Sequence, residues 1–195
     1  MLGYTERGRS VNAEVKNEKN LSITQALLVS VAVGVAGSIV IVPLTYLQIF
    51  ATLAHTYLVA LTLGLWVIPC LLPLVLVRRP GSALLACGAI GVISAVTTPF
   101  GLAAIPALLF EGLIVEIPFL VTLYRSWRTV QYYVAGGILG AFMGFMVPAS
   151  IGIKTPGITL PIICMLIALV SALAGTWLCF LIGSKVRLTG VLGEH

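Results

Sequence analysis

Two glutamates, Glu111 and Glu116, interrupt an otherwise apolar run between Leu102 and Tyr124. An ionisable side chain in hydrocarbon costs roughly 2.5–3.5 kcal/mol on insertion scales, so each acid needs a partner or a purpose. Two functional chemistries fit: a counter-charge for a cationic ligand, or a site that takes up a proton. The structural alternative is a protonated or hydrogen-bonded acid inside a bundle. Counted along a helix from Leu102, the two would lie roughly 13 and 20 Å from its start. Five residues turn a helix by about 140°, so they meet different neighbours. Gly112 sits one turn before Glu116 and leaves room on the same stripe.

A second group of polar and aromatic residues holds Tyr46, Gln48, His55 and Tyr57, with Trp66 following. Aromatics at a membrane boundary commonly form an anchoring belt. The same residues could also lid a pocket for a flat, aromatic ligand.

Catalytic chemistry finds little to work with. The chain contains no aspartate and only two histidines, His55 and His195. It lacks the G-x-x-x-x-G-K-[ST] phosphate loop, HExxH and GxSxG. Cys70, Cys87, Cys164 and Cys179 lie in apolar runs without zinc spacing and read as small packing residues. No catalytic residue, metal site or resident cofactor is expected, and the chain is not read as an enzyme.

The elements that would position these residues are membrane helices. Of 195 residues, 59% are hydrophobic and 9% charged, and the mean hydropathy is +1.13. Soluble domains carry roughly 25% charged residues. A spanning helix needs about 20 apolar residues. Candidate spans cover about Leu21–Leu44 (ending near Pro43), Leu58–Val77, Ser82–Val96, Leu102–Tyr124, Gln131–Pro148 and Ile158–Ile182. The stretch TYLQIFATLAHTY from Thr45 to Tyr57 is more polar and reads as a loop or partly inserted segment. The expected fold is an all-α integral membrane protein: a cytoplasmic tail (1–20), a six-helix bundle (21–184) and a second cytoplasmic tail (185–195).

Charge sets the orientation. Arg7, Arg9, Lys16, Lys19, Arg78, Arg79, Arg125, Arg128, Lys185 and Arg187 fall on one side of a six-span layout, and only Lys154 falls on the other. By the positive-inside rule the first side is cytoplasmic. The net charge of +5 is thereby assigned to the lipid bilayer and not to nucleic acid.

Close helix contacts in lipid use small side chains four residues apart. Ser30, Gly34 and Ser38 have that spacing, with Ala32 and Ala36 on a neighbouring stripe; so do Gly136, Gly140 and Gly144, and the pair Ser171 and Gly175. They suit packing inside the bundle. The first stripe also suits docking of another membrane protein.

Several patches resemble a known family. They are Gly64-Leu65-Trp66, Arg78-Arg79-Pro80-Gly81-Ser82-Ala83-Leu84, Pro99-Phe100-Gly101, the run from Gly112 to Leu120, and Thr189-Gly190-Val191-Leu192. In this order they resemble the substrate-binding (S) components of energy-coupling factor (ECF) vitamin transporters, closest to the YkoE thiamine-related group. The resemblance implies a six-helix S component in the bacterial cell membrane, a transmembrane T component as partner and, indirectly, two ATP-binding-cassette ATPases. It places small residues of the first helix, here Ala32, Gly34 and Ala36, against the T component. A vitamin-like substrate would be held near the outer face, with Glu116, Glu111, Trp66, Tyr57, His55, Tyr46 and Gln48 as candidate contacts. Thiamine or a hydroxymethylpyrimidine is favoured, and haem or another cofactor stays open. A self-sufficient facilitator or channel, or a non-transporting scaffold, are the alternatives.

Overall fold

The computed structural model describes residues 22–150, 152 and 157–188. Arg7, Arg9, Lys16, Lys19 and Lys154 lie outside the described residues, as does the Arg187 side chain, and with them most of the proposed tails.

Among the described residues six α-helices follow one another: α1 (Ile23–Ala54), α2 (Thr56–Val77), α3 (Ser82–Thr97), α4 (Ala104–Val121), α5 (Thr129–Ser150) and α6 (Thr159–Leu188). A 3-10 turn over Gly101–Ala103 leads into α4. Five of the helical segments are long and apolar enough to cross a membrane, and α3, with 16 residues, is the short sixth. The expected all-α membrane bundle is what the chain forms.

The helices alternate direction, so their connections gather at two ends. Arg78, Arg79, Arg125 and Arg128 mark a basic end, where α6 also finishes with Lys185. The opposite, or far, end carries the α1–α2, α3–α4 and α5–α6 connections. α2 is the centre of the bundle, buried from Val59 to Val77 along most of its length. The other helices surround it and turn large apolar side chains outward, such as Ile39, Leu102 and Val170. Side chains of this kind are stable facing lipid and costly facing water.

Two boundaries differ from expectation. α6 continues to Leu188, past the expected end at Ile182. α1 does not end near Pro43 but runs through it to Ala54, 32 residues in all. A proline removes one backbone donor, which membrane helices tolerate when neighbouring groups compensate. Here the residues after Pro43 are tied down. Thr45 donates to the Ile41 carbonyl, Tyr46 Oη to the Thr97 carbonyl of α3, and Gln48 Nε2 to Thr62 Oγ1 of α2. The expected loop is therefore helix, and His55 alone, in extended backbone, joins α1 to α2. At the start of α1, Ser22 and Gln25 form a reciprocal cap.

Small residues let the helices touch. A side chain at Gly64 of α2 would collide with the Ser171 backbone of α6, and one at Gly175 with the Gly64 carbonyl. Gly136, Gly140 and Gly144 of α5 press in the same way against Thr176, Ala172 and Ala168 of α6. The α5 and α6 stripes are therefore internal packing. The four cysteines are free and wholly buried.

Candidate functional site

α4 carries both glutamates, and it aims them at different helices. Glu111 turns toward α2, where the Trp66 indole Nε1 donates to its Oε2 at 2.6 Å. Trp66 is 9% exposed, whereas Glu111 is half-buried. The indole has a single donor, and it takes only one of the two carboxylate oxygens. This pair sits midway along α2 and α4, about 15 Å from the start of α2. A charged or polar group at such depth normally marks a ligand or ion path.

Glu116 turns toward the start of α3 and is fully engaged. Its Oε1 accepts from the backbone N–H groups of Ala83 (3.1 Å) and Leu84 (3.3 Å). Its Oε2 accepts from Gly81 N–H (3.1 Å) and Tyr124 Oη (2.8 Å). The first N–H groups of a helix have no partner within it, and their dipole favours an anion. Gly81, at φ 80°, shapes the turn so that these donors converge. Tyr124 lies beyond α4 in a turn where Leu123 and Tyr124 both take positive φ. Burial, and then the bond to Glu116, push its hydroxyl above the usual tyrosine range, so it stays a donor. Phe119, Trp127, Tyr132 and Phe180 stack around this region with ring centroids 4.9–5.3 Å apart. Glu116 is thus a capping acid in a packed end, with no capacity left for a ligand.

The remaining candidates lie at the far end. Tyr46 and Gln48 are on α1, and both side chains are committed to neighbouring helices as described above. His55 is the exposed link, and Tyr57, also exposed, opens α2. Glu116 is remote from them. It binds the first turn of α3, whereas Tyr46 binds the last residue, about 20 Å away along that helix. Among the described residues, Trp66 and Glu111 are the two sequence candidates joined to each other by a side-chain hydrogen bond. Sequence reading missed Tyr124 and the backbone donors of Gly81, Ala83 and Leu84.

The docking stripe divides. Ala32 and Ala36 are exposed. Gly34 is buried against α3, where an added Cβ would lie 2.6 Å from the Ala86 carbonyl oxygen. Gly34 therefore leaves the docking set, and Ser30 and Ser38, both buried, share its inward face.

Comparison with known proteins agrees with this architecture. A solved structure described as a crystal structure of an S-component of ECF transporter superposes with a TM-score of 0.77 over 89% of each chain, at 19% identity. No curated protein matches the sequence significantly. The fold is that of an S component, and the helices make this a multi-pass protein of the plasma membrane. The model of one family, described as the permease component of an ABC-type cobalt transport system, matches residues 23–143, more than half of the sequence. The chain belongs to that family of transporter subunits.

Proposed function

We propose that the chain is the substrate-capture subunit of an ECF-type uptake transporter, and that it takes a small organic amine of the vitamin class. The observation that carries the substrate class is the Trp66–Glu111 pair: a half-satisfied carboxylate beside an indole in the middle of an S-component fold. Such a pair suits a cationic or amino-substituted ring, which gains a charge-assisted hydrogen bond and an aromatic neighbour. Thiamine and hydroxymethylpyrimidine have this chemistry. His55 and Tyr57 stand at the far-end entrance, and Tyr46 and Gln48 brace the helices there.

The basic end faces the cytoplasm in this proposal, as the arginine distribution requires. Ala32 and Ala36 are the T-component contact, and ATP hydrolysis belongs to two partner ATPases.

The family description names cobalt, which favours a second proposal, transport of that ion. Cobalt(II) prefers several nitrogen and oxygen ligands. Among the described residues no three His, Cys, Asp or Glu side chains meet in an arrangement able to hold a metal.

The experiment is ligand identification by mass spectrometry on protein extracted natively. An amine released from the wild type is the expected result. Recovery of stoichiometric cobalt without an organic ligand would transfer the proposal to the ion. Concentrative uptake by this chain alone in liposomes would instead make it a self-sufficient transporter.

A further inference from the structure

The turn between α4 and α5, residues 122–128, is braced from within. Leu123 N–H donates to the Leu120 carbonyl at 2.8 Å, Tyr124 N–H to Phe119 at 2.8 Å and Arg125 N–H to Thr122 at 3.0 Å. Gln131 of α5 reaches back: its Nε2 donates to Thr122 Oγ1 (2.8 Å), and its Oε1 accepts from Arg128 N–H (3.2 Å). Tyr124 and Trp127 turn inward, onto Glu116 and Phe119. Leu123, Arg125 and Arg128 are left on the outside.

Leu123 takes φ 50° and is 68% exposed. That backbone region is easy for glycine and unfavourable for a leucine. Tyr124, at φ 54°, gains an inward hydrogen bond from the same conformation. Leu123 gains nothing inside the protein, because its side chain is carried outward. Val121 and Val130 on either side in sequence are also exposed, and Ile117 and Leu120 continue the outward apolar face up α4. The two arginines are equally unengaged. Glu111 and Glu116 are the only acids among the described residues, and both are bonded inside the bundle. Neither Arg125 nor Arg128 therefore has a carboxylate partner among the described residues. An exposed apolar anchor in a strained conformation, beside two uncompensated cations where the apolar helices end, calls for a neighbour that is apolar below and anionic above.

We propose that the outer surface of the α4–α5 turn binds an anionic phospholipid, with Arg125 and Arg128 on the headgroup phosphate and Leu123 set among the acyl chains. Three residues apart, the arginine Cα atoms are separated by at most about 11 Å, so their long side chains can meet on one phosphate. A guanidinium presents paired donors that match phosphate oxygens, which a lysine ammonium does not. The internal bracing by Gln131 and Trp127 holds the turn in place before the lipid arrives, so little ordering is needed on binding. This surface is independent of the Trp66–Glu111 pair and of what that pair binds.

The test titrates the full chain in mild detergent with phosphatidylglycerol and with phosphatidylcholine of the same acyl chains, and native mass spectrometry reads the lipids retained. Wild type should prefer phosphatidylglycerol. In the double variant Arg125→Gln with Arg128→Gln that preference should fall about tenfold or more, with unfolding in lipid-free detergent unchanged. Arg78→Gln with Lys185→Gln removes the same charge from the same end, at residues that are also exposed, and should keep most of the preference. Equal losses in the two double variants would assign the effect to overall charge and overturn the site. Leu123→Gly relieves the backbone, so it should be at least as stable as wild type in detergent yet hold both lipids less well. Unchanged retention of both lipids by Leu123→Gly would remove the anchor and overturn the proposal. Wild-type retention of phosphatidylglycerol by the folded Arg125 and Arg128 variant would overturn it as well, and failure of that variant to co-purify with a T component would give the turn to the protein partner instead.

Discussion

Glu111 and Glu116 are five residues apart on one helix, yet one is held by a single indole and the other by four donors. Burial differs, Glu116 being buried and Glu111 half-buried, but it does not by itself say which acid is free to bind. Remaining hydrogen-bond capacity does. The basic end is a finished structure, in which the acid, the first turn of α3 and Tyr124 complete one another. The middle of the bundle keeps an unfilled carboxylate oxygen. In a medium without water to fill such a gap, a polar atom with capacity to spare supports the proposal that the ligand is held there and not at the basic end.

The largest expected effect attacks the finished end. Glu116→Ala strands three backbone donors and the Tyr124 hydroxyl, and should lower stability by roughly 3 kcal/mol or more. Thermal unfolding in detergent would register it as a clear fall in midpoint. Glu116→Gln keeps one acceptor oxygen and should fall between the wild type and Glu116→Ala. A Glu116→Ala protein as stable as wild type would erase the contrast between the two acids.

Glu111→Gln is the complementary change. It retains an acceptor for Trp66, so unfolding should shift little, while affinity for an amine ligand should drop about ten- to a hundredfold. Titration calorimetry decides this, and an unaltered affinity would point to an uncharged substrate. Tyr124→Phe is a smaller probe of the same contrast. Removing one of four donors to Glu116 should cost about 1 kcal/mol and leave ligand binding intact, as unfolding and titration on one preparation would reveal.

Ala36→Leu should do least to the isolated protein, since the side chain is exposed. In co-purification with a T component it should weaken the complex by obstructing close backbone approach. Full retention of the complex would move the docking face elsewhere.

Much of the frame was legible in the sequence because its interruptions are chemically loud. Arg78-Arg79-Pro80-Gly81 and Arg125-Ser126-Trp127-Arg128 each stop an apolar run where a helix ends. The length of α1 was hidden, because Pro43 reads as a terminator unless Tyr46 and Gln48 are known to be anchored on α3 and α2. The docking stripe was partly legible: two residues turn a helix by 200°, so Ala32 and Gly34 had to face nearly opposite ways. The two glutamates' depths and divergent faces were also legible. Their roles were not, since Glu116 is occupied by main-chain N–H groups of another helix, 32–35 residues away. Donors of that kind leave no mark in side-chain identity.

The most direct measurement is native mass spectrometry of wild type, Glu111→Gln and Glu116→Gln, each extracted from cells under identical mild conditions and checked for folding. Whatever ligand the cell supplies is weighed on the protein itself. Wild type and folded Glu116→Gln should carry the same small amine, and Glu111→Gln should arrive empty or nearly so. Full ligand occupancy in Glu111→Gln, together with its loss from folded Glu116→Gln, would contradict the division between a structural acid and a binding acid.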